Sequence, residues 1–281
     1  MKLSGSEIII ESLKKEGVDY IFGYPGGAVL HIYDALFAAK DIKHVLVRHE
    51  QGATHAADGY ARACNKPGVV LVTSGPGITN CVTGIATAHM DSIPMIVISG
   101  QVSRQYVGSD AFQEADATGI TRPICKHNFL INDRESIADT FRKAFIIATT
   151  GRPGPVIIDI PKDLTDPSVK IDFEYKRNIK IRSYKIKTNE DENKIEEAAK
   201  ILCSAKKPMI YTGGGVILSK ASKELIKLTK LLNFPITNTL MGLGAYPSSD
   251  NQFLGMLGCL LYTSDAADDM QCVDLGGRRI I

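Results

Sequence analysis

Short continuous apolar runs alternate with amphipathic stretches along most of the chain. The opening SGSEIIIESLKKEG gathers its apolar residues on one helical face, DYIFGYPGG reads as a strand ending in a glycine turn, AVLHIYDALFAA as a helix and HVLVRHE as the next strand. The alternation continues through a helix over 51–63, the run GVVLVTSGPG, a helix over 78–89, MIVISG, a helix over 135–149 and PVIIDIP. Apolar strands without internal alternation, separated by helices, predict a parallel sheet covered on both faces. In such a doubly wound α/β sheet, ligands gather at the carboxyl ends of the strands.

Near Lys162 the pattern stops. The polar, charge-mixed DLTDPSVKIDFEYKRNIKIRSYKIKTNEDEN has no clear period and predicts a linker. Alternation resumes with KIEEAAKILCSA as a helix, the run PMIYTGGG, KELIKLTKLLN as a helix and PITNTLMGLG, the start of a second, Rossmann-like α/β domain. The closing CLLYTSDAADDMQCVDLGGRRII offers neither strand nor helix where that domain needs more sheet. The expected division is a first domain over 1–166, a linker over 167–190, an incomplete domain over 191–258 and an aberrant tail over 259–281.

Composition narrows the function. The 281 residues are 44% hydrophobic and 23% charged, ordinary globular material for about two domains. With 33 basic residues against 31 acidic ones, no Trp and no basic run, neither nucleic acid nor a membrane surface is expected as a partner. No stretch approaches the roughly 18 apolar residues of a membrane span, and the N-terminus has no secretory or transit pattern. Six cysteines, at 64, 81, 125, 203, 259 and 272, form no CxxC pair and no zinc spacing, so a reducing, cytoplasmic setting is expected and no metal ligands are assigned.

The candidate chemistry begins in RHEQGATHAADGYAR, where Glu50 follows a strand and opens an alanine-rich helix. An acid in a first helical turn is favoured by the helix dipole by up to about 1 kcal/mol, which needs no chemistry. A carboxyl at the carboxyl end of a strand, however, faces the ligand crevice, where it could hold or share a proton. Three glycine turns, GYPGGA, TSGPGITN and GGG at 213–215, end comparable strands and bring backbone close to a ligand, yet none matches GxGxxG or the Walker A pattern. The six histidines include no HExxH, and GxSxG is absent, which lowers the weight of hydrolase readings.

In order along the chain, GYPGGA, RHEQGATHAADGYARA, TSGPGITN, DSIP, GQVSRQYVGSDAFQE, TRPICKHNF, GRPGPVIIDIPKD and NTLMGLGAYP resemble the large catalytic subunits of acetolactate synthase, also called acetohydroxyacid synthase. The resemblance covers residues 4 to 258 and implies a thiamine-diphosphate-dependent enzyme of three α/β domains. In that family the first domain binds the cofactor's pyrimidine, the middle one FAD, and the third the diphosphate with Mg²⁺. The reaction implied is decarboxylation of pyruvate and carboligation to a second 2-oxo acid, pyruvate or 2-oxobutyrate, giving 2-acetolactate or 2-aceto-2-hydroxybutyrate for branched-chain amino-acid biosynthesis. The features AFQE, KHN and NTLMGLG favour this over another thiamine-diphosphate carboligase or a pyruvate oxidase.

By the same resemblance, Glu50 hydrogen-bonds N1′ of the pyrimidine and drives its imino form. Gly26, Gly27 and Ala28 border the reacting centre, Pro76 and Asn80 line the pyrimidine pocket, Gln113 and Lys126 face the substrate, and Lys162 lies at the channel mouth. The FAD-matching residues are Ser92, Arg152, Gly214, Thr239, Leu240 and the Leu257–Gly258 pair. Where many plant members have proline after GQV, this chain has Ser103, a difference that touches herbicide response rather than catalysis. The resemblance implies a homodimer through the pyrimidine domain and a small regulatory subunit. It breaks at Cys259, and no GDG…N motif for Mg²⁺ and diphosphate follows, so the chain by itself is expected to be inactive. A non-catalytic, dimerising role is the alternative from another class.

Overall fold

The computed structural model describes residues 1–182, 184–185 and 191–256. Strand β1 (Lys2–Ser4) leads into helix α1 (Gly5–Lys15). The Ser4 hydroxyl accepts from the Glu7 amide and the Glu7 carboxylate accepts from the Ser4 amide, so two orphan donors of the helix start are satisfied reciprocally. There follow β2 (Tyr20–Tyr24), α2 (Leu30–Ala38), β3 (Lys43–Leu46), α3 (Glu50–Cys64), β4 (Gly68–Val72), α4 (Pro76–Thr79), α5 (Val82–Met90) and β5 (Met95–Gln101). The first unit closes with α6 (Ala117–Thr121), β6 (His127–Leu130), α7 (Ile137–Thr149), β7 (Pro155–Pro161) and β8 (Lys170–Asp172).

Strands β2 to β7 form one six-stranded sheet in the order β3-β2-β4-β5-β7-β6, with every neighbouring pair parallel. This is the doubly wound sheet that the apolar runs predict. Strands β4, β5 and β7 are buried along their whole length, which is why their sequences show no alternation. Leu71, Ile98 and Ile158 join Ile9, Ile32 and Phe141 in a core shared with α1, α2 and α7. The other face is covered by α3 and α5, which pack on each other and on the sheet. The connection from β2 runs through α2 to β3, whereas β4 leads through α5 to β5 on the other side. The point where the strand order reverses therefore lies at the carboxyl ends of β2 and β4, and it is there that a doubly wound sheet places its ligand crevice.

Three local features differ from the sequence expectation. The helix expected over 78–89 is interrupted at Asn80 and Cys81, where the Cys81 thiol takes the Gly77 carbonyl at 3.3 Å and its amide turns to Ile78 instead. The short elements α6 and β6 were not predicted, being too brief to show a period. The segment 167–190, read as a linker, contains β8, which pairs antiparallel with β1 (Leu3 opposite Ile171) and is followed by Phe173 and Tyr175 packed against the core. A three-residue strand amid lysines and acids carries no readable alternation. The first compact unit accordingly runs over Met1–Lys187.

The second unit holds α8 (Glu192–Ser204), β9 (Ile210–Thr212), α9 (Gly215–Leu218), α10 (Ser222–Leu232), β10 (Ile236–Asn238) and β11 (Phe253–Met256). Its three strands are parallel in the order β11-β10-β9, as the resumed alternation predicts, with β11 added. The tail expected over 259–281 and the Leu257–Gly258 pair lie outside the described residues. Among the described residues no helix is long and apolar enough to cross a membrane.

Candidate active site

Glu50 is the first residue of α3, four residues beyond the end of β3, and is 9% exposed. His49 fixes this start by accepting the Gln51 amide on Nδ1 at 3.2 Å. The Glu50 carboxyl is oriented by Asn80, whose Nδ2 donates to Oε2 at 2.9 Å. That contact exists because the chain leaves regular helix at Asn80, between α4 and α5. Oε1 makes no hydrogen bond to the described residues. Beneath the carboxyl lie Tyr33, which donates to the Leu71 carbonyl at 3.1 Å, and the buried Cys81. Burial, reinforced by the negative charge of Glu50, pushes both the Tyr33 phenol and the Cys81 thiol up, so both stay protonated in the neutral range.

The two glycine turns of the crevice are locked together by Thr73, just past the end of β4. Its Oγ1 accepts from the Ala28 amide at 3.3 Å, and a Cβ placed on Gly26 would lie 2.5 Å from the Thr73 Cβ. Gly26 therefore has no room for a side chain, whereas a Cβ on Gly27 would meet nothing within 4 Å. Gly75 (φ +57) is required twice over: by its left-handed backbone and because a Cβ there would meet the Gln113 carbonyl oxygen at 2.7 Å. Gln113, itself at φ +59, is thereby held by its backbone against the TSGPG turn. Sequence reasoning missed Thr73; its one signal is its place between an apolar strand and a glycine turn.

In a parallel sheet all carboxyl ends share one edge, which sorts the candidates. Gly26, Gly27, Ala28, Glu50, Pro76, Asn80, Gln113 and Lys162 all follow strand ends and lie at that edge. Lys126, expected on the substrate side, directly precedes β6 and so lies at the opposite edge. Its ammonium donates to the carbonyls of Ile147 and Thr150 and to the Tyr184 hydroxyl. The physical reason is the negative end of α7, whose last carbonyls lack helical partners and attract a cation. Ser92 and Arg152 lie at that same opposite edge: the exposed Arg152 donates from Nε to Ser92 Oγ at 2.7 Å and from Nη2 to the Met90 carbonyl at 3.1 Å.

In the second unit, Gly214 follows β9 and packs against Met241, while Thr239 and Leu240 follow β10. Asn238, at the end of β10, is fully buried; its Oδ1 accepts from Thr212 Oγ1, and its Nδ2 has no partner among the described residues. A buried donor without an acceptor is costly, and an ordered water, an ion or a polar ligand atom would satisfy it. Among the described residues no group of three His, Cys, Asp or Glu side chains is arranged to hold a metal ion. Two grooves elsewhere on the first unit, of about 450 Å³ beside α1 and α2 and about 830 Å³ beside α7, contain none of the candidate residues.

Comparison with known proteins bears on this geometry. Residues 3–120 match the thiamine pyrophosphate enzyme N-terminal TPP binding domain, and residues 195–275 match the central domain of the same enzymes. The chain is 56% identical over 257 residues to the acetolactate synthase large subunit of Haemophilus influenzae, covering 92% of this chain and 45% of that protein. It is 52% identical over 256 residues to the acetolactate synthase isozyme 3 large subunit of Escherichia coli, covering 91% and 45%. Against the acetolactate synthase of Mycobacterium bovis the identity is 50% over 257 residues, covering 92% and 41%. The chain thus spans less than half the length of these relatives.

Proposed function

Because the chain belongs to the thiamine pyrophosphate enzymes and is a relative of acetolactate synthase large subunits, we propose that it supplies the pyrimidine-binding half of an acetolactate synthase active site. The activity proposed is decarboxylation of pyruvate and carboligation to a second 2-oxo acid, pyruvate or 2-oxobutyrate, in branched-chain amino-acid biosynthesis. The observation that carries it is the Glu50–Asn80 pair at the strand-end crevice: a largely buried carboxyl with one oxygen oriented by an amide and the other open.

This arrangement fits the aminopyrimidine of thiamine diphosphate. When bound, that cofactor supplies an electron sink for decarboxylation. Glu50 would hold and return a proton at Oε1, facing a ring nitrogen, while Asn80 keeps Oε2 fixed so that the open oxygen points one way. The turn through Gly26 and Ala28 is pinned by Thr73, and Gly27, where an added Cβ would meet nothing within 4 Å, leaves its side of the turn unobstructed. Gln113 and Lys162 would provide a donor and a cation at the same edge.

FAD is proposed for the second unit, where Asn238 Nδ2, without a partner among the described residues and next to Thr239, Leu240 and the Gly214 turn, offers a donor to a polar ligand atom. On the first unit, and separately from that donor, Arg152 and Ser92 suit a diphosphate by their charge and hydrogen-bonding capacity. Mg²⁺ finds no three-ligand group among the described residues. Homodimerisation through the pyrimidine domain is supported by Leu30, Phe37, Leu46 and Phe112, exposed apolar side chains on α2, on β3 and on the Gln113 segment. A small regulatory subunit is proposed from the large-subunit names of the relatives.

The test is pyruvate-dependent formation of acetolactate, with added thiamine diphosphate, Mg²⁺ and FAD, by a subunit of the relatives' length carrying residues 1–258 of this chain. Acetolactate is the expected product. A folded subunit that consumes pyruvate to acetate or acetaldehyde without acetolactate would contradict the proposal.

A further inference from the structure

Asp159 is a carboxyl in the middle of a sheet. It lies toward the carboxyl end of β7, opposite Ser99 of β5, and is 2% exposed. Its Oδ2 accepts from Gln101 Nε2 at 3.0 Å, and the same nitrogen donates to the Ala115 carbonyl at 2.8 Å. Gln101 Oε1 accepts from the Val102 amide at 2.8 Å, so the Gln101 amide is fixed at both ends. Beyond that clasp the segment is organised by its own acids: Glu114 accepts from the Gly108 and Ala111 amides, and Asp116 accepts from the Gly119 amide to cap α6. Gln113 sits inside this segment, its backbone against Gly75.

A well-packed apolar residue at position 159 would avoid the cost of burying a carboxyl, and Oδ1 has no hydrogen-bond partner among the described residues. We propose that Asp159 is a positioning residue: it grips the Gln101 amide, which in turn grips the segment that carries Gln113 to the reaction face. The proposal rests on the reading of that face given above. Burial raises the Asp159 carboxyl to about 7, against the hydrogen bond from Gln101 and the polarity of the neighbouring Ser99 hydroxyl and aided by the charge of Asp116. Below that pH the neutral acid still accepts from Gln101 and has a proton to offer the Ser99 hydroxyl. Above it, the carboxylate still accepts from Gln101, but it is a buried charge whose Oδ1 has no partner among the described residues and which repels Asp116 at the α6 cap, so opening of the segment, which hydrates the charge, becomes easier.

Hydrogen exchange at the amides of Ala111, Glu114 and Gly119, corrected for intrinsic rates, tests this on the 281-residue chain without any cofactor. In the unmodified chain protection should fall at least about threefold between about pH 6 and pH 8. Asp159→Asn, which keeps an acceptor for Gln101, should make protection independent of pH. Gln101→Ala should lower it at both pH values. Wild-type pH dependence persisting in Asp159→Asn, or unchanged protection in Gln101→Ala, overturns the proposal. If either variant fails to fold, carbon-13 titration of Asp159 in the unmodified chain decides: protection lost with the same midpoint supports the grip, and flat protection sinks it. An inert Glu50→Gln substitution would remove the proposed reaction and leave this result standing, so the two failures are separable.

Discussion

The Asn80 amide reaches Glu50 from 30 residues further along the chain, and that contact sets which carboxyl oxygen stays open. Asn80→Ala in an active subunit should lower turnover roughly tenfold to a hundredfold, the equivalent of about 1–3 kcal/mol for an orienting hydrogen bond to a charged group. Steady-state acetolactate kinetics measure it, and unchanged turnover would remove Asn80 from the site. The glycines separate just as sharply. Gly26→Ala forces a Cβ to 2.5 Å from Thr73 and should destabilise the first unit by about 1–3 kcal/mol. Gly27→Ala meets open space and should change urea stability by no more than about 0.5–1 kcal/mol. Glu50 and the glycine turns were legible in the sequence because strand, acid and helix stand next to one another. Asn80 as an orienter and Thr73 as a clasp were not, since each acts on a residue far away in the chain.

The long elements were legible and the short ones were not, for one physical reason: a period needs several turns or pleats to declare itself. Helices α1, α3 and α7 and strands β4, β5 and β7 lie where the apolar pattern puts them. Elements β6, α6 and β8 have three to five residues and mixed polarity, and only the sheet or core they join defines them. The break between α4 and α5 was hidden because Ile78, Cys81 and Ile85 keep helical spacing across it while the Cys81 thiol replaces a backbone amide at the Gly77 carbonyl. Lys126 shows the same limit from the other side: its motif pointed to substrate, yet the end of α7 gives its charge a structural use. At the start of α1 the sequence signal and the structure coincide. Ser4→Ala removes the reciprocal cap and should cost about 1 kcal/mol, read as a lowered urea midpoint at constant slope.

For the molecule as a whole, the two compact units mean that unfolding should be followed with probes assigned to each. Asp159 makes a signed prediction for the first. Its carboxyl is held at about 7 in the fold against an ordinary 3.8, so the folded chain binds more protons than the unfolded one between those values. Stability of the first unit should therefore fall as pH rises from about 4 to about 7, by on the order of 1–3 kcal/mol, and Asp159→Asn should remove the slope. Carboxylates lowered by partners, such as Asp163 beside Arg104, act in the opposite sense and lower on the scale, losing their contribution as pH falls through the acid range. The doubly wound sheet and the second α/β unit were legible from alternation alone; the clasp of Asp159, Gln101 and Ala115 was not, because a buried acid in an apolar strand gives no sign of its partners. The central claim is that the Glu50 carboxyl holds a working proton. Glu50→Gln keeps size and hydrogen bonding and removes only that proton exchange. In a complete, cofactor-loaded subunit it should cut acetolactate turnover by about 10²-fold or more, with the fold unchanged; turnover within a few-fold of the unmodified enzyme would contradict the account.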